Sequence, residues 1–190
     1  MKLQKFNPTT IKHPSNILII GKCSTGKTTL VLDLLHHLNI KNGFVATEFK
    51  SEEYRKFYPN LPINSKDEFK NIINSRGISF NVIDSCGYLL SEARKSKLIN
   101  KIIIYNQKFD ITNIIANCYL TGIRIQWDVD YLFLLKENII DNNKKAWKNF
   151  GSMFKEFKDF QVKLTEYTSD YGCMVLDIKE QKAYWYKAIN

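Results

Sequence analysis

The stretch Gly21-Lys22-Cys23-Ser24-Thr25-Gly26-Lys27-Thr28 decides the fold of this 190-residue chain. It matches the pattern Gly-x-x-x-x-Gly-Lys-Thr, the P-loop, in which backbone N–H groups surround phosphate oxygens. The apolar residues 17–20 before it predict a buried strand, and the leucine spacing within residues 29–38 predicts a helix after it. A strand, this loop and a helix in that order predict a nucleotide-binding α/β fold.

The loop and one later strand supply the groups that ATP and Mg²⁺ need. We expect the phosphates to bind N–H groups at the start of the helix, with Lys27 reaching the terminal phosphates. Thr28 is the expected hydroxyl ligand of Mg²⁺, and Asp84, at the end of the apolar run 80–84, is the expected carboxylate. Lys27 and Asp84 are also expected to be catalytic. The residues expected to bind the nucleotide are Gly21, Lys22, Cys23, Ser24, Thr25, Gly26, Lys27, Thr28 and Thr29.

Hydrolysis also needs a group that orients or deprotonates the attacking water. Many ATPases place a second acid directly after the metal-binding aspartate, but here that position is Ser85, whose hydroxyl is a poor base. Glu48 is the candidate instead. It lies just past the strand predicted for residues 43–47, and ligands of open α/β sheets bind beyond the carboxyl ends of the strands. The alternative interpretation of Glu48 is an ordinary surface glutamate.

Further groups for the transition state are expected later in the chain. Arg124 is the candidate arginine finger, which one subunit would supply to its neighbour, and Arg94 is the alternative. Asn117 and Cys118 are candidate contacts of the γ-phosphate, and the asparagine amide is the stronger hydrogen-bonding group. The alternative interpretation is that the two arginines are ordinary surface charges. Asn117 and Cys118 would then be buried side chains whose hydrogen bonds are satisfied within the protein.

Composition and charge narrow the class of protein. The formal net charge of +9 suits a partner that carries phosphates, although a solvated lysine-rich surface explains the same charge. No apolar run approaches the ~20 residues that span a bilayer. Residues 1–14 are polar and basic without an apolar core, so no secretory signal is predicted. The cysteines are far apart, which predicts thiols in a reducing compartment rather than disulfides or zinc ligands. They are Cys23, Cys86, Cys118 and Cys173.

The alternation of strands and helices predicts a mostly parallel central sheet with helices on both faces. This would form one domain, residues 15–190, after an N-terminal extension, residues 1–14. Residues 51–63 are predicted to be irregular because Pro59 and Pro62 interrupt them. Strands are predicted at 43–47 and 79–83, within 111–120 and at 131–135. Helices are predicted at 66–75, at 91–107 apart from the apolar residues 102–104, and, as one or two, within 147–164. A C-terminal β-hairpin is predicted to pair 173–178 with 183–187.

Several other segments carry a resemblance to one family. They are Thr47-Glu48 with residues 58–63, Phe-Asp-Ile-Thr at 109–112 and Asp-Val-Asp-Tyr-Leu-Phe at 128–133. Towards the C-terminus they are Met153-Phe154, Phe160 and Thr-Ser-Asp-Tyr-Gly-Cys-Met-Val-Leu-Asp at 168–177. From about residue 15 to residue 187, the chain resembles the genome-packaging ATPases of large DNA viruses and virophages, the poxvirus-type branch of the FtsK–HerA superfamily.

This resemblance implies a RecA-like P-loop NTPase core and a homo-oligomeric ring. The ring would hydrolyse ATP and translocate double-stranded viral DNA, without reading its sequence, into a capsid. A capsid or portal protein is the further partner that the resemblance implies. The implied location is the host cell cytoplasm or viral factory, or the virion itself.

The chain departs from this family at three positions that assist hydrolysis. The second acid is replaced by Ser85, the arginine of a Gly-Arg-His run by Gln107, and a sensor glutamine by Cys118. These differences favour, as an alternative, a nucleotide-binding subunit with weak or no turnover in a packaging complex. A small-molecule P-loop kinase is a further alternative. It is disfavoured because such kinases usually clamp phosphates with an arginine-bearing lid, and the scattered arginines here are only Arg55, Arg76, Arg94 and Arg124.

Overall fold

The computed structural model describes residues 2–39, 42–47, 50–58, 63–64, 78–84, 109–118 and 129–189, with the backbone alone at residues 63–64. The helices predicted for residues 66–75 and 91–107 lie outside these described residues. Within them, the chain forms nine strands and four α-helices.

The nine strands of the described residues form one sheet in the order β1-β9-β8-β7-β2-β6-β5-β3-β4. They are β1 (Gln4–Lys5), β2 (Asn16–Ile20), β3 (Gly43–Thr47), β4 (Ile63–Asn64), β5 (Phe80–Asp84), β6 (Thr112–Asn117), β7 (Tyr131–Leu134), β8 (Gly172–Asp177) and β9 (Lys182–Lys187). From β7 to β4 every neighbouring pair is parallel, whereas β8 is antiparallel to both β7 and β9. The predicted mostly parallel sheet and C-terminal hairpin are therefore confirmed.

Helices cover both faces of this sheet, as predicted. They are α1 (Lys27–Leu38), α2 (Ser51–Phe57), α3 (Ile140–Phe150) and α4 (Phe157–Tyr167). Alternate side chains of β2 point to opposite faces, so Ile17 and Ile19 pack in the cluster that contains the leucines of α1, whereas Leu18 and Ile20 pack with the apolar side chains of α3 and α4. Among the described residues, no helix has both the length and the apolar character needed to cross a membrane.

The prediction that residues 51–63 are irregular is wrong for their first part, because α2 occupies Ser51–Phe57. This helix has two glutamates in its first turn and an Arg–Lys pair in its last turn, the charge arrangement that suits the helix dipole. It also buries Tyr54 completely against the sheet. Pro59 and Pro62 follow the end of the helix, so they limit its length without preventing it.

The aromatic segment 147–164 contains parts of two helices, one of the two arrangements that its spacing allowed. Gly151 separates them: its N–H donates to the Trp147 carbonyl at 2.8 Å, and a Cβ atom here would lie only 2.8 Å from the same oxygen. Helix α3 begins at Ile140, earlier than predicted. The prediction rests on the aromatic spacing from Trp147, and the first turns of the helix are polar and lack such a repeat.

The N-terminal segment packs on the sheet rather than projecting from it. Its strand β1 pairs in parallel with β9. Phe6 is 4% exposed and lies among four aromatic rings, with centroid distances of 5.6 to 6.3 Å. These rings belong to Tyr131, Phe133, Tyr184 and Tyr186. The pairing is invisible to local sequence patterns because β1 has only two residues and its partner lies at the other end of the chain.

We expect Phe6→Ala to lower the free energy of unfolding by about 3–5 kcal/mol, because it removes a buried ring and leaves a cavity. Val162→Ala, on the exposed face of α4, is the control and should change it by about 0.5 kcal/mol or less. Urea unfolding followed by circular dichroism measures both. Equal, small effects would mean that the N-terminal segment does not contribute to the core.

Candidate nucleotide-binding site

The loop formed by residues 21–26 connects β2 to α1 at the carboxyl edge of the parallel strands. Two of its glycines are required by geometry. A Cβ atom on Gly21 would lie 2.7 Å from Cβ of Leu135, and Gly26 has a φ of +92°, in the left-handed region. The chain can therefore turn sharply from the strand into the helix, as the P-loop pattern predicts.

Helix α1 begins with its N–H groups directed at this loop. Its N-cap is Gly26, which has no side chain to satisfy them. N–H groups at a helix N-terminus, together with the positive end of the helix dipole, make a site for anions. The local structure thus provides what the motif requires for phosphate binding.

Lys27 is the buried cation of the site. Its side chain lies over the loop, and Nζ donates to the carbonyl oxygens of Gly21 at 2.8 Å and Lys22 at 2.6 Å. The residue is only 5% exposed. An ammonium group carries three donors, so the loop holds this charge within the curve where phosphates are expected to bind.

Thr28 and Asp84 meet on the side of the loop that faces β5. The Thr28 hydroxyl donates to Oδ2 of Asp84 at 2.7 Å, and Asp84 is completely buried at the end of β5. Mg²⁺ prefers oxygen ligands, usually one or two carboxylates with phosphate oxygens and water. A hydroxyl and a carboxylate at hydrogen-bond distance, beside an anion site, fit that ion.

Tyr54 completes this corner and was missed by sequence reasoning. Its hydroxyl donates to Oδ2 of Asp84 at 2.9 Å, from the buried side of α2. The carboxylate thus accepts hydrogen bonds from two different helices. The sequence signal for Tyr54 is weak because Pro59 and Pro62 predict an irregular segment. In the structure the segment is a helix, and Tyr54 lies on its buried face, toward the sheet.

Cys118, at the end of β6, lies close to the loop lysine. Its Sγ is 3.7 Å from Nζ of Lys27 and 3.7 Å from Sγ of Cys23. The latter distance is well beyond a disulfide bond of ~2.05 Å, so these two residues are thiols. Burial raises the pKa of the Cys118 thiol, although the nearby Lys27 ammonium acts in the opposite direction. Cys118 is therefore a neutral, weak hydrogen-bonding group beside the site.

Asn117 forms hydrogen bonds with two residues near it, Cys118 and Gly21. Its Oδ1 accepts from the N–H of Cys118 at 2.8 Å, and its backbone oxygen accepts from the N–H of Gly21 at 3.2 Å. The first bond shapes the end of β6 locally, and the second joins that end to the first residue of the loop. A role in contacting the γ-phosphate remains a prediction for Asn117 and Cys118.

Glu137 is a second residue that sequence reasoning missed. Its side chain is 6% exposed and lies 3.9 Å from Nζ of Lys22, measured to Oε1. The same carboxylate accepts from the N–H of Ile139 at 2.8 Å and from the Asn142 amide at 2.9 Å. It therefore ties the segment after β7 and the start of α3 to the phosphate-binding loop.

The remaining predicted site residues, Glu48, Ser85, Arg94, Gln107 and Arg124, lie outside the described residues. Their roles stay predictions. The neighbourhood of one of them is described: Thr47, the residue before Glu48, is in register with Asp84 across β3 and β5.

No protein-family model matches the chain. It is similar to an uncharacterized protein of Acanthamoeba polyphaga mimivirus, with 24% identity over 219 residues, 98% of this chain and 77% of that protein. It is also similar to an uncharacterized protein of Invertebrate iridescent virus 6, with 28% identity over 198 residues, 92% of this chain and 75% of that protein.

Solved structures give a more specific comparison. The genome packaging NTPase B204 from Sulfolobus turreted icosahedral virus 2, in complex with sulfate, matches with a TM-score of 0.71 and 12% identity over 95% of this chain and 99% of that chain. This chain has the fold of that viral packaging NTPase. The same NTPase in complex with AMPPCP matches with a TM-score of 0.67 and 13% identity, over 97% of this chain and 100% of that chain. The expected P-loop NTPase fold is confirmed, and the resemblance to viral packaging ATPases is confirmed at the level of the fold.

We expect Tyr54→Phe to lower the free energy of unfolding by about 1–3 kcal/mol, because a buried carboxylate loses one of its hydrogen-bond donors. Tyr184→Phe, a matched change on the half-exposed strand β9, is the control. Urea titration of both variants measures the difference. Equal losses would show that the hydroxyl of Tyr54 does not matter to Asp84.

Proposed function

We propose that this protein binds ATP with Mg²⁺ and hydrolyses it to move double-stranded viral DNA into a capsid. The observation that carries the proposal is the corner where Thr28 donates to Asp84 beside the buried Lys27. The fold shared with a viral genome packaging NTPase supports the packaging role.

In this proposal the phosphates of ATP bind the N–H groups of residues 21–29. The ammonium of Lys27 exchanges its bonds to loop carbonyls for bonds to the β- and γ-phosphates, which holds the γ-phosphate in place. Thr28 and Asp84 would hold Mg²⁺, which would supply positive charge to neutralise the phosphate oxygens. Tyr54 keeps the Asp84 carboxylate in one orientation.

The hydrolytic step is assigned to residues that follow the described strands. Glu48 orients the attacking water for in-line attack on the γ-phosphate, because it comes directly after Thr47, the neighbour of Asp84 in the sheet. Arg124 of an adjacent subunit stabilises the charge that develops on the phosphate oxygens. The proposal therefore includes a homo-oligomeric ring.

The net charge of +9 supports DNA as the partner. Lysine side chains that face the centre of a ring would contact the DNA backbone without reading its sequence. A capsid or portal protein would anchor the ring during packaging. Such a motor acts in the host cytoplasm or viral factory, or on the virion.

A second candidate is a nucleotide-binding subunit with weak or no turnover. Cys118 favours it, because a neutral thiol lies beside Lys27 where a stronger hydrogen-bonding group would contact the γ-phosphate more effectively. This candidate retains Lys27, Thr28 and Asp84 as the nucleotide site and differs from the first only in the hydrolytic step.

We expect Lys27→Ala to weaken ATP binding by roughly 30-fold or more, because the phosphates lose charge-assisted hydrogen bonds. Lys144→Ala, an exposed lysine of α3, is the control and should bind ATP like the parent. Titration calorimetry measures both affinities, and circular dichroism checks that the variants are folded. An unchanged affinity of Lys27→Ala would remove the loop from nucleotide binding.

Phosphate release with and without double-stranded DNA separates the two candidates. A motor should release phosphate faster with DNA, and Glu48→Gln should lower that rate by about 100-fold without weakening ATP binding. Glu156→Gln, on the exposed start of α4, is the matched control. ATP binding without phosphate release, with or without DNA, would favour the non-hydrolysing subunit. Phosphate transfer to a nucleoside or sugar acceptor would instead indicate a kinase.

A further inference from the structure

We propose that Tyr171 is the platform on which the base of the bound nucleotide stacks. The inference rests on the proposed nucleotide site and adds the part of it that recognises the nucleoside. Tyr171 is 68% exposed, which is unusual for a large aromatic residue. It lies directly before β8 in a segment for which the phosphate chemistry has no other use.

The backbone holds Tyr171 in an unfavourable conformation. Its φ is +58°, in the left-handed region that bulky residues avoid, and the preceding Asp170 has a φ of +51°. A strained residue persists only where the surrounding structure fixes it, and such residues concentrate at functional sites. Positive φ at both residues, closed by the hydrogen bond from the Gly172 N–H to the Ser169 carbonyl, is the φ pattern of a type I′ turn, whose central positions favour Asn, Asp and Gly. The turn explains the backbone, but a tyrosine at its second central position is unusual and indicates a role for the side chain.

Two bonds and one close backbone approach support the turn that carries this ring. Lys187 forms a 2.5 Å ion pair with Asp170, and the N–H of Gly172 donates to the Ser169 carbonyl at 3.0 Å. A Cβ atom on Gly172 would lie 2.4 Å from the Tyr167 carbonyl oxygen, so the residue after Tyr171 must be a glycine. The side chain is thus presented to solvent by a turn that is itself held on both sides.

The ring of Tyr171 stands beside the phosphate-binding loop. Its Cδ1 lies 3.6 Å from the position that a Cβ atom would take on Gly26, the residue before α1. The N–H groups that follow Gly26 are those expected to bind phosphate. An aromatic ring therefore lies within one residue of the anion site.

The sheet order places this ring at the nucleoside end of the site. Asp84 lies on β5, on one side of the loop, whereas β8 lies on the other side, next to β7. Because β8 is antiparallel to β7, its first residues lie at the carboxyl edge of β7, level with the loop. A triphosphate whose γ-phosphate bound at the Thr28–Asp84 corner would extend its nucleoside away from that corner, toward the side of the loop where Tyr171 lies.

The chemistry of the ring predicts what it recognises. Phenol rings stack on any nucleobase through the π-face, and the larger face of a purine gains more from stacking than that of a pyrimidine. Tyr171 therefore adds affinity for purine nucleoside triphosphates and leaves the binding of the phosphates themselves unchanged.

The test compares ATP with inorganic tripolyphosphate, which has no base, by titration calorimetry of the full chain with Mg²⁺. Tyr171→Ala should weaken ATP binding roughly 5- to 140-fold, the range that one stacked base gives, and should leave tripolyphosphate affinity unchanged. Tyr171→Phe keeps the ring and should bind ATP within about twofold of the parent, because the stacking face is retained.

Tyr171→Gly separates recognition from structure. It relieves the left-handed strain, so the melting temperature should rise while ATP affinity falls. An ATP affinity unchanged in Tyr171→Ala, or an equal loss of tripolyphosphate affinity, would overturn the assignment while leaving the phosphate site standing. A parent chain that binds neither ligand would overturn the nucleotide site and the platform together.

Discussion

The hydrogen bonding of the buried Asp84 carboxylate is the interaction on which the rest of this site depends. A fully buried charge is costly unless hydrogen-bond donors satisfy it. Here the donors come from the hydroxyls of Thr28 on α1 and Tyr54 on α2, both directed at the same oxygen. One carboxylate therefore fixes the end of β5, the start of the loop helix and the short helix α2 relative to one another.

The position of β2 explains why the other groups converge on the same place. It lies between β6 and β7, so the loop after it is flanked by the ends of both neighbours. On one side, Cys118 and Asn117 contact Lys27 and Gly21; on the other, Glu137 lies near Lys22. Sheet topology thus gathers residues that are more than 90 positions apart in the sequence.

The parts of the site that the sequence predicts are those with local signals. The loop is encoded by consecutive residues, and Asp84 follows an apolar run, so both could be placed without coordinates. Tyr54 could not, because nearby prolines masked a seven-residue helix whose stability comes from burial rather than from its length. The positions of Phe6 and Tyr171 could not be predicted either. Phe6 depends on the pairing of β1 with the distant strand β9, and Tyr171 depends on a left-handed turn; neither feature has an apolar repeat in the sequence.

A structure determined with Mg²⁺ and a non-hydrolysable ATP analogue would show whether Lys27, Thr28 and Asp84 form one metal–nucleotide site. We expect Nζ of Lys27 on phosphate oxygens, with Mg²⁺ next to the Thr28 hydroxyl and the Asp84 carboxylate. A saturating analogue bound elsewhere, with Lys27 still on the carbonyls of Gly21 and Lys22, would contradict that expectation.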